Sequence, residues 1–428
     1  MKTMVAFAAA GLAVTAAAQT PPLDAAASDP VKMGWMQGDP VPADKMIRFE
    51  DIGHYTFPKT RWSFSNYRQF FRTAGVAHEG QPRPLPRAER RDLDAVGFSP
   101  LGGGAAMTWA QALPGMYTDA VLVLHRGRVV YERYFGVTTP KSQHIAFSVT
   151  KSYVGTLAAE LVAQGKLKRD TTVATILPEL VQSGFGDATV GQVMDMTTAI
   201  DFDEAYTNPD SGIVRHAMAG GLGPRPAGYS GPEGLRAFLA TVAKKGEHGE
   251  RFTYRTANTD VLTWIVERTA GKRFPQLLEE HFWSKLGMEG DASIQVDSQG
   301  VVFGGGGLML TLRDLARFGE MIRLGGNGLV AKAAIDDIRA GGGKAEFAKN
   351  GAYPTLPGWS YRDQWWVSHN DHGAFMARGI HGQAIYIDPK AEMVIARFGS
   401  HPTAANVAID PIALPAYHAV ALHLMGKR

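Results

Sequence analysis

The stretch SVTKSYVGTLAAELVAQGK, residues 148–166, decides how the rest of the chain is read. Val154, Leu157, Ala158, Leu161 and Val162 recur at spacings of three and four, which puts an apolar stripe along one side of a helix. Gly165 and Lys166 supply the small residue and the cation that a helix end favours. At the other end, Ser148 and Lys151 are one turn apart, so the amine reaches the hydroxyl. A serine at a helix start also lies among unpaired backbone N–H groups, which stabilise a developing oxyanion. By itself the motif has two readings. Ser-x-x-Lys arises by chance about once or twice in a chain this long, and serine is a common helix cap. The choice between cap and nucleophile rests on what the other residues supply.

The bulk composition narrows the field. With 45% hydrophobic and 20% charged residues, the 428-residue chain has ordinary globular make-up and ample core material. A net charge of +3 without a dense Lys/Arg block argues against a nucleic-acid partner. At the N-terminus, Lys2, the apolar stretch 5–17 and Ala16-Ala17-Ala18 before Gln19 read as a cleaved export signal over residues 1–18. A short uncleaved membrane anchor is the competing reading. No later run approaches the ~20 apolar residues of a membrane span. The absence of cysteine permits an oxidising compartment without requiring one. The expectation is a periplasmic or secreted protein.

Residues 19–30 are Pro- and Ala-rich and read as a disordered leader. From 33 to 97, nine aromatics from Trp35 to Phe71 are scattered among prolines and charges. They predict an arm, 19–104 with its leader, packed on the main body. A hairpin follows, with strands over 120–124 and 129–135 joined at 125–128. After the Ser148 helix, short helical patterns at 172–181, 190–197, 234–243, 260–270 and 274–286 leave little β signal before residue 300. A further amphipathic helix runs from Thr311 to Leu324. Strands are expected at 364–368, 383–387 and 393–398, and a last helix at 415–425. The pattern predicts an α+β fold: an antiparallel sheet lobe (105–166 and 301–428) flanked by helices, with an inserted all-helical lobe (167–300). The glycine run 304–307 lacks the Gly-Lys-Ser/Thr of a phosphate loop and is not read as one.

A serine hydroxyl needs a neighbouring base. Lys151 serves only if its surroundings keep it neutral, and a tyrosine is a sensible relay to the leaving group. The candidate is Tyr254 in FTYRTAN, 252–258, which otherwise reads as a helix-capping loop with a packed tyrosine. Together, Ser148-x-x-Lys151, Tyr254-Arg255-Thr256, GGLMLTLRDLARF (306–318) and a late strand after a glycine resemble, in order and spacing, the serine beta-lactamase and penicillin-binding family. The likeness covers about residues 105–428 and is closest to its class C and esterase members. MGWM (33–36), TRWSF (60–64) and GIHGQ (379–383) are similar to the branch containing 6-aminohexanoate-dimer hydrolases.

The resemblance implies Ser148 as acylated nucleophile, Lys151 as base and Tyr254 as proton relay. It implies Ser148 and Ile380 N–H groups as the oxyanion hole, with His381 as the competing placement for the third motif. Tyr206, and His381 under that placement, would contact substrate. No cofactor and no metal are implied. The partner is a small amide or ester, and monomer and homodimer both stay open. Two departures stand out: Ala377 occupies the place of the family's third-motif lysine, and Thr256 that of an asparagine. The missing cation weighs against beta-lactam or D-Ala-D-Ala peptide cleavage. Arg378 replaces it only if it faces the cleft, and strand alternation turns it away. Two rivals of other kinds are a metal hydrolase using His369, Asp371 and His372, and a non-catalytic cell-wall-binding or sensor module.

Overall fold

A computed structural model describes residues 22–206 and 208–427; the expected export signal lies outside them. Seven antiparallel strands form the main sheet: β1 Thr118–His125, β2 Arg128–Tyr134, β3 Ser360–Arg362, β4 Trp365–Val367, β5 Phe375–Gly379, β6 Gln383–Asp388 and β7 Met393–Gly399. Their order is β2-β1-β7-β6-β5-β4-β3. Arg126 (φ 53°) and Gly127 (φ 71°) turn the β1–β2 hairpin in two residues, a left-handed pair that matches the strand twist.

Alternation along β1 builds two cores. Leu122 and Leu124 face helices α1 (Val149–Ala163) and α4 (Leu312–Arg323), whereas Val121 and Val123 face α5 (Asp410–Leu424). Two more helices, α2 (Gly212–Gly220) and α3 (Thr256–Ala270), belong to the inserted region. α4 lays its apolar stripe, including Leu315, Phe318 and Ile322, on the sheet. α1 departs from its one-sided pattern: every residue from Val149 to Leu161 is buried, Lys151 and Glu160 included. It is a central helix, wrapped by α3 and by the sheet, so its polar positions point into protein rather than water. Gly155 permits that approach, because a Cβ there would meet Gln364 Cβ at 2.7 Å.

Other expectations need correction. The 172–181 pattern breaks at Pro178 into Val173–Ile176 and a turn at Pro178–Leu180, since proline has no N–H to continue the ladder. The region 167–300 is not all helical: Ala292–Gln295 is a strand. It pairs with Thr73–Val76 on one side and Leu308–Leu310 on the other, and His144–Ile145 completes a four-stranded strip. Four residues of mixed polarity carry too little periodicity to reveal it. Nor are residues 22–30 loose. The Tyr117 hydroxyl donates to the Leu23 carbonyl at 2.8 Å, Ser28 is buried, and Asp29 caps the turn Pro30–Met33.

The aromatic arm is built into the body. Arg61 pairs with Asp119 at 2.9 Å, both buried, and Asp119 also takes the Ser400 hydroxyl at 2.8 Å. Phe64 and Tyr67 pack on Phe147, immediately before Ser148, at ring distances of 4.9 and 5.7 Å. Phe64→Ala should therefore cost about 3–5 kcal/mol of stability, read as a lowered denaturation midpoint. It should also lower kcat, because Phe147 holds a left-handed backbone (φ 43°) that needs external support.

Candidate active site

Three chain segments converge where α1 begins. Ser148 occupies the N-terminal cap of α1 with its side chain free of capping duty. Lys151, one turn on, places Nζ 3.1 Å from Ser148 Oγ. Tyr254 enters from the segment before α3, its ring 5.1 Å from Lys151 Nζ, and it lines the same cleft as Ser148. Ile380, just past β5, lines the same cleft. Gly379 is required beside it: a Cβ would sit 2.7 Å from the Ala146 carbonyl oxygen, so only glycine lets β5 run this close to the serine.

Lys151 has three polar neighbours: Ser148 Oγ, Thr256 Oγ1 at 3.2 Å and the Gly305 carbonyl. A carbonyl only accepts, so one N–H is committed there. With a second N–H on Thr256, the lone pair of a neutral amine faces Ser148. Burial pushes the lysine's pKa down to about 8, against the opposing pull of the Glu204 and Asp260 carboxylates. Burial pushes the Tyr254 phenol well up, and Glu204 adds to this, while Ser148 and Arg378 act the other way. Near pH 8 the amine is thus half neutral, and the phenol keeps its proton.

The remaining sequence candidates divide. Tyr206 borders the cleft and donates to Glu204 Oε2 at 3.0 Å. His381 is not a cleft residue: it is 4% exposed and packed against the rings of Tyr55, Phe64 and Phe147. Its Nδ1 donates to the His401 carbonyl at 2.6 Å, which leaves Nε2 to accept from the Tyr55 hydroxyl at 3.3 Å. Burial lowers its pKa to about 4, so it stays neutral. It orients Tyr55, and that arm tyrosine lines the cleft. The facing of β5 is also corrected. Ala377 is buried in the core shared with α1, and Arg378 borders the cleft with Nη2 held by Asp410. The expected alternation was right; its phase was one residue off. His369 and His372 part company, onto Ser360 and Asp388, each at 2.7 Å.

Two contributors escaped the sequence reading. Gly305, within the dismissed glycine run, gives its carbonyl to Lys151 and its N–H to Asp260 at 2.9 Å. Glu204 accepts the Thr256 N–H at the head of α3 and the Tyr206 hydroxyl. Its position two residues before Tyr206 was the available clue.

Two pockets meet at Ser148, Tyr206 and Ile380. One, of about 660 Å³, runs between the arm and α2. The other, of about 310 Å³, is bordered by Glu204, Tyr254 and Arg378.

Known proteins resemble this chain in sequence and fold. The family model "Beta-lactamase" matches residues 104–414. The 6-aminohexanoate-dimer hydrolase of Paenarthrobacter ureafaciens is 35% identical over 349 residues, covering 81% of this chain and 86% of that protein. A solved Bacillus anthracis structure, provisionally named a 6-aminohexanoate-dimer hydrolase, superposes with TM-score 0.81 at 28% identity, covering 90% of this chain and 99% of that one. A D-stereospecific amidohydrolase from Streptomyces sp. shares the fold at TM-score 0.55 and 15% identity, over 70% and 96% of the two chains. The chain belongs to the beta-lactamase family and is a hydrolase.

Proposed function

We propose that the protein hydrolyses amide or ester bonds through an acyl-enzyme on Ser148. The carrying observation is the Lys151 amine 3.1 Å from Ser148 Oγ, with Thr256 Oγ1 and the Gly305 carbonyl as its other two neighbours; a neutral amine that donates to those two turns its lone pair to the hydroxyl. Neutral Lys151 takes the serine proton as Oγ bonds to the substrate carbonyl carbon. The oxyanion is met by the N–H groups of Ser148 and Ile380. Tyr254 passes a proton to the leaving amine or alcohol as the C–N or C–O bond breaks, and Lys151 restores the phenol's proton. Water then attacks the acyl-enzyme, giving up its proton along the same route, and Ser148 is regenerated. The roles follow from basicity. A neutral amine is accessible near pH 8, whereas a phenolate is not, so lysine is the base and tyrosine the donor.

A panel of 6-aminohexanoate dimer, short p-nitrophenyl esters, nitrocefin and a D-Ala-D-Ala peptide tests this reading. Turnover of the esters and little action on the last two are expected. Arg378, the guanidinium beside the smaller pocket, is already paired with Asp410 and is poorly placed to take a beta-lactam carboxylate. Rapid nitrocefin hydrolysis would overturn that specificity. Inertness to the whole panel, with binding of peptidoglycan fragments, would instead favour a non-catalytic module. Export to the periplasm belongs to the same proposal, on the strength of Lys2, the apolar stretch 5–17 and Ala16-Ala17-Ala18 before Gln19; cell fractionation tests it.

A further inference from the structure

The two pockets differ in chemistry, and the serine lies between them. Tyr254 stands on the wall of the smaller one, so the group it protonates leaves on that side. The larger pocket then receives the acyl portion. Its wall carries Ile52, Ile213, Val214, Met218, Leu222 and Phe303, a lining typical of sites that exclude water from an apolar ligand.

No carboxylate among the described residues lines this larger pocket. Its cation, Arg225, is already held, by Glu233 at 2.5 Å and by the Met218 and Ala219 carbonyls at 2.7 and 2.8 Å. His216 gives Nε2 to Asp260 at 2.8 Å, and its buried Nδ1 has no partner. His54 Nδ1, on the same wall, is likewise buried without a partner, and ring nitrogens, which carry no negative charge, do not replace a counter-charge for a buried ammonium. Glu204 belongs to the smaller pocket, with Tyr206 between.

We propose that the larger pocket accepts an uncharged hydrocarbon acyl chain, so that the substrates are amides or esters of apolar carboxylic acids rather than of ω-amino acids. This rests on the acyl-enzyme reading above and goes further by naming the acyl group. It sets the chain apart from the 6-aminohexanoate-dimer specificity named for its relatives, since that dimer presents an ammonium at the end of its acyl half.

The test is kcat/KM of the wild-type enzyme on p-nitrophenyl esters from acetyl to heptanoyl, with the 6-aminohexanoyl ester as the isosteric charged partner of heptanoyl. We expect a rise of roughly three- to fourfold per added methylene. The 6-aminohexanoyl ester should lie at least about 100-fold below heptanoyl, the scale of an unpaired charge brought into an apolar site. Val214→Asp, a change of similar volume, should shrink that ratio at least tenfold, and a ratio within one variant does not depend on how much of it is folded. A flat chain-length series, or equal turnover of the two isosteric esters by the wild type, would overturn the proposal. Acetyl-ester turnover lost in Ser148→Ala tests the underlying catalytic reading separately, because an acetyl group barely enters the pocket.

Discussion

Ser148→Ala should lower kcat/KM on amides and esters by about 10⁴-fold or more while leaving the fold intact. The size follows from losing the nucleophile of a covalent mechanism, whose members act as a unit. The intact fold follows from what the hydroxyl touches: its neighbours are Lys151 and Tyr254, both of which keep other contacts. A shift in stability of about 1 kcal/mol, the worth of one hydrogen bond, is the expected limit. Steady-state kinetics paired with a thermal melt reads both quantities. Retention of more than about one hundredth of wild-type activity would remove Ser148 from the reaction.

Tyr254→Phe should separate amides from activated esters. The variant keeps the ring, including its stacking on Trp366 at 5.5 Å, and loses only the phenol proton. An amine cannot depart from a tetrahedral intermediate unprotonated, so amide turnover should fall by roughly 10²–10⁴-fold, the usual reach of general acid catalysis. p-Nitrophenolate leaves without a proton, and its ester should lose far less. Equal losses on the two substrates would mean that Tyr254 acts earlier, in activating the serine.

The local features of this protein were legible from its residues, and the long-range ones were not. Helix α1, the β1–β2 hairpin and the last two strands are each coded by periodicity within a dozen residues. So was the pairing of Ser148 with Lys151, since a helix fixes the geometry of residues three apart. The environment that tunes the amine was not. It is assembled from Thr256, Gly305 and Glu204, more than fifty positions from Lys151, and each has an ordinary local explanation as a cap, a glycine turn or a loop acid. The left-handed Phe147 is held by Phe64 and Tyr67, eighty or more residues earlier. The phase of β5 is a third case. Alternation predicts that Ala377 and Arg378 face opposite ways, but packing against α1 selects which of them meets the cleft. His381 illustrates the same limit: a histidine after a strand reads as a contact group, and burial makes it a support for Tyr55.

The most direct test of the central claim is the rate at which a fluorophosphonate labels the protein across pH 6 to 10, with the modified residue identified by mass spectrometry. Labelling needs only the serine and its base. With a lysine pKa of about 8, about one-tenth of the amine is neutral at pH 7 and about nine-tenths at pH 9. The rate should climb about tenfold across that interval, level off above it, and collapse in Lys151→Ala, with Ser148 the single modified residue. An adduct on another residue, or a rate on Ser148 indifferent to both pH and Lys151→Ala, would contradict the account.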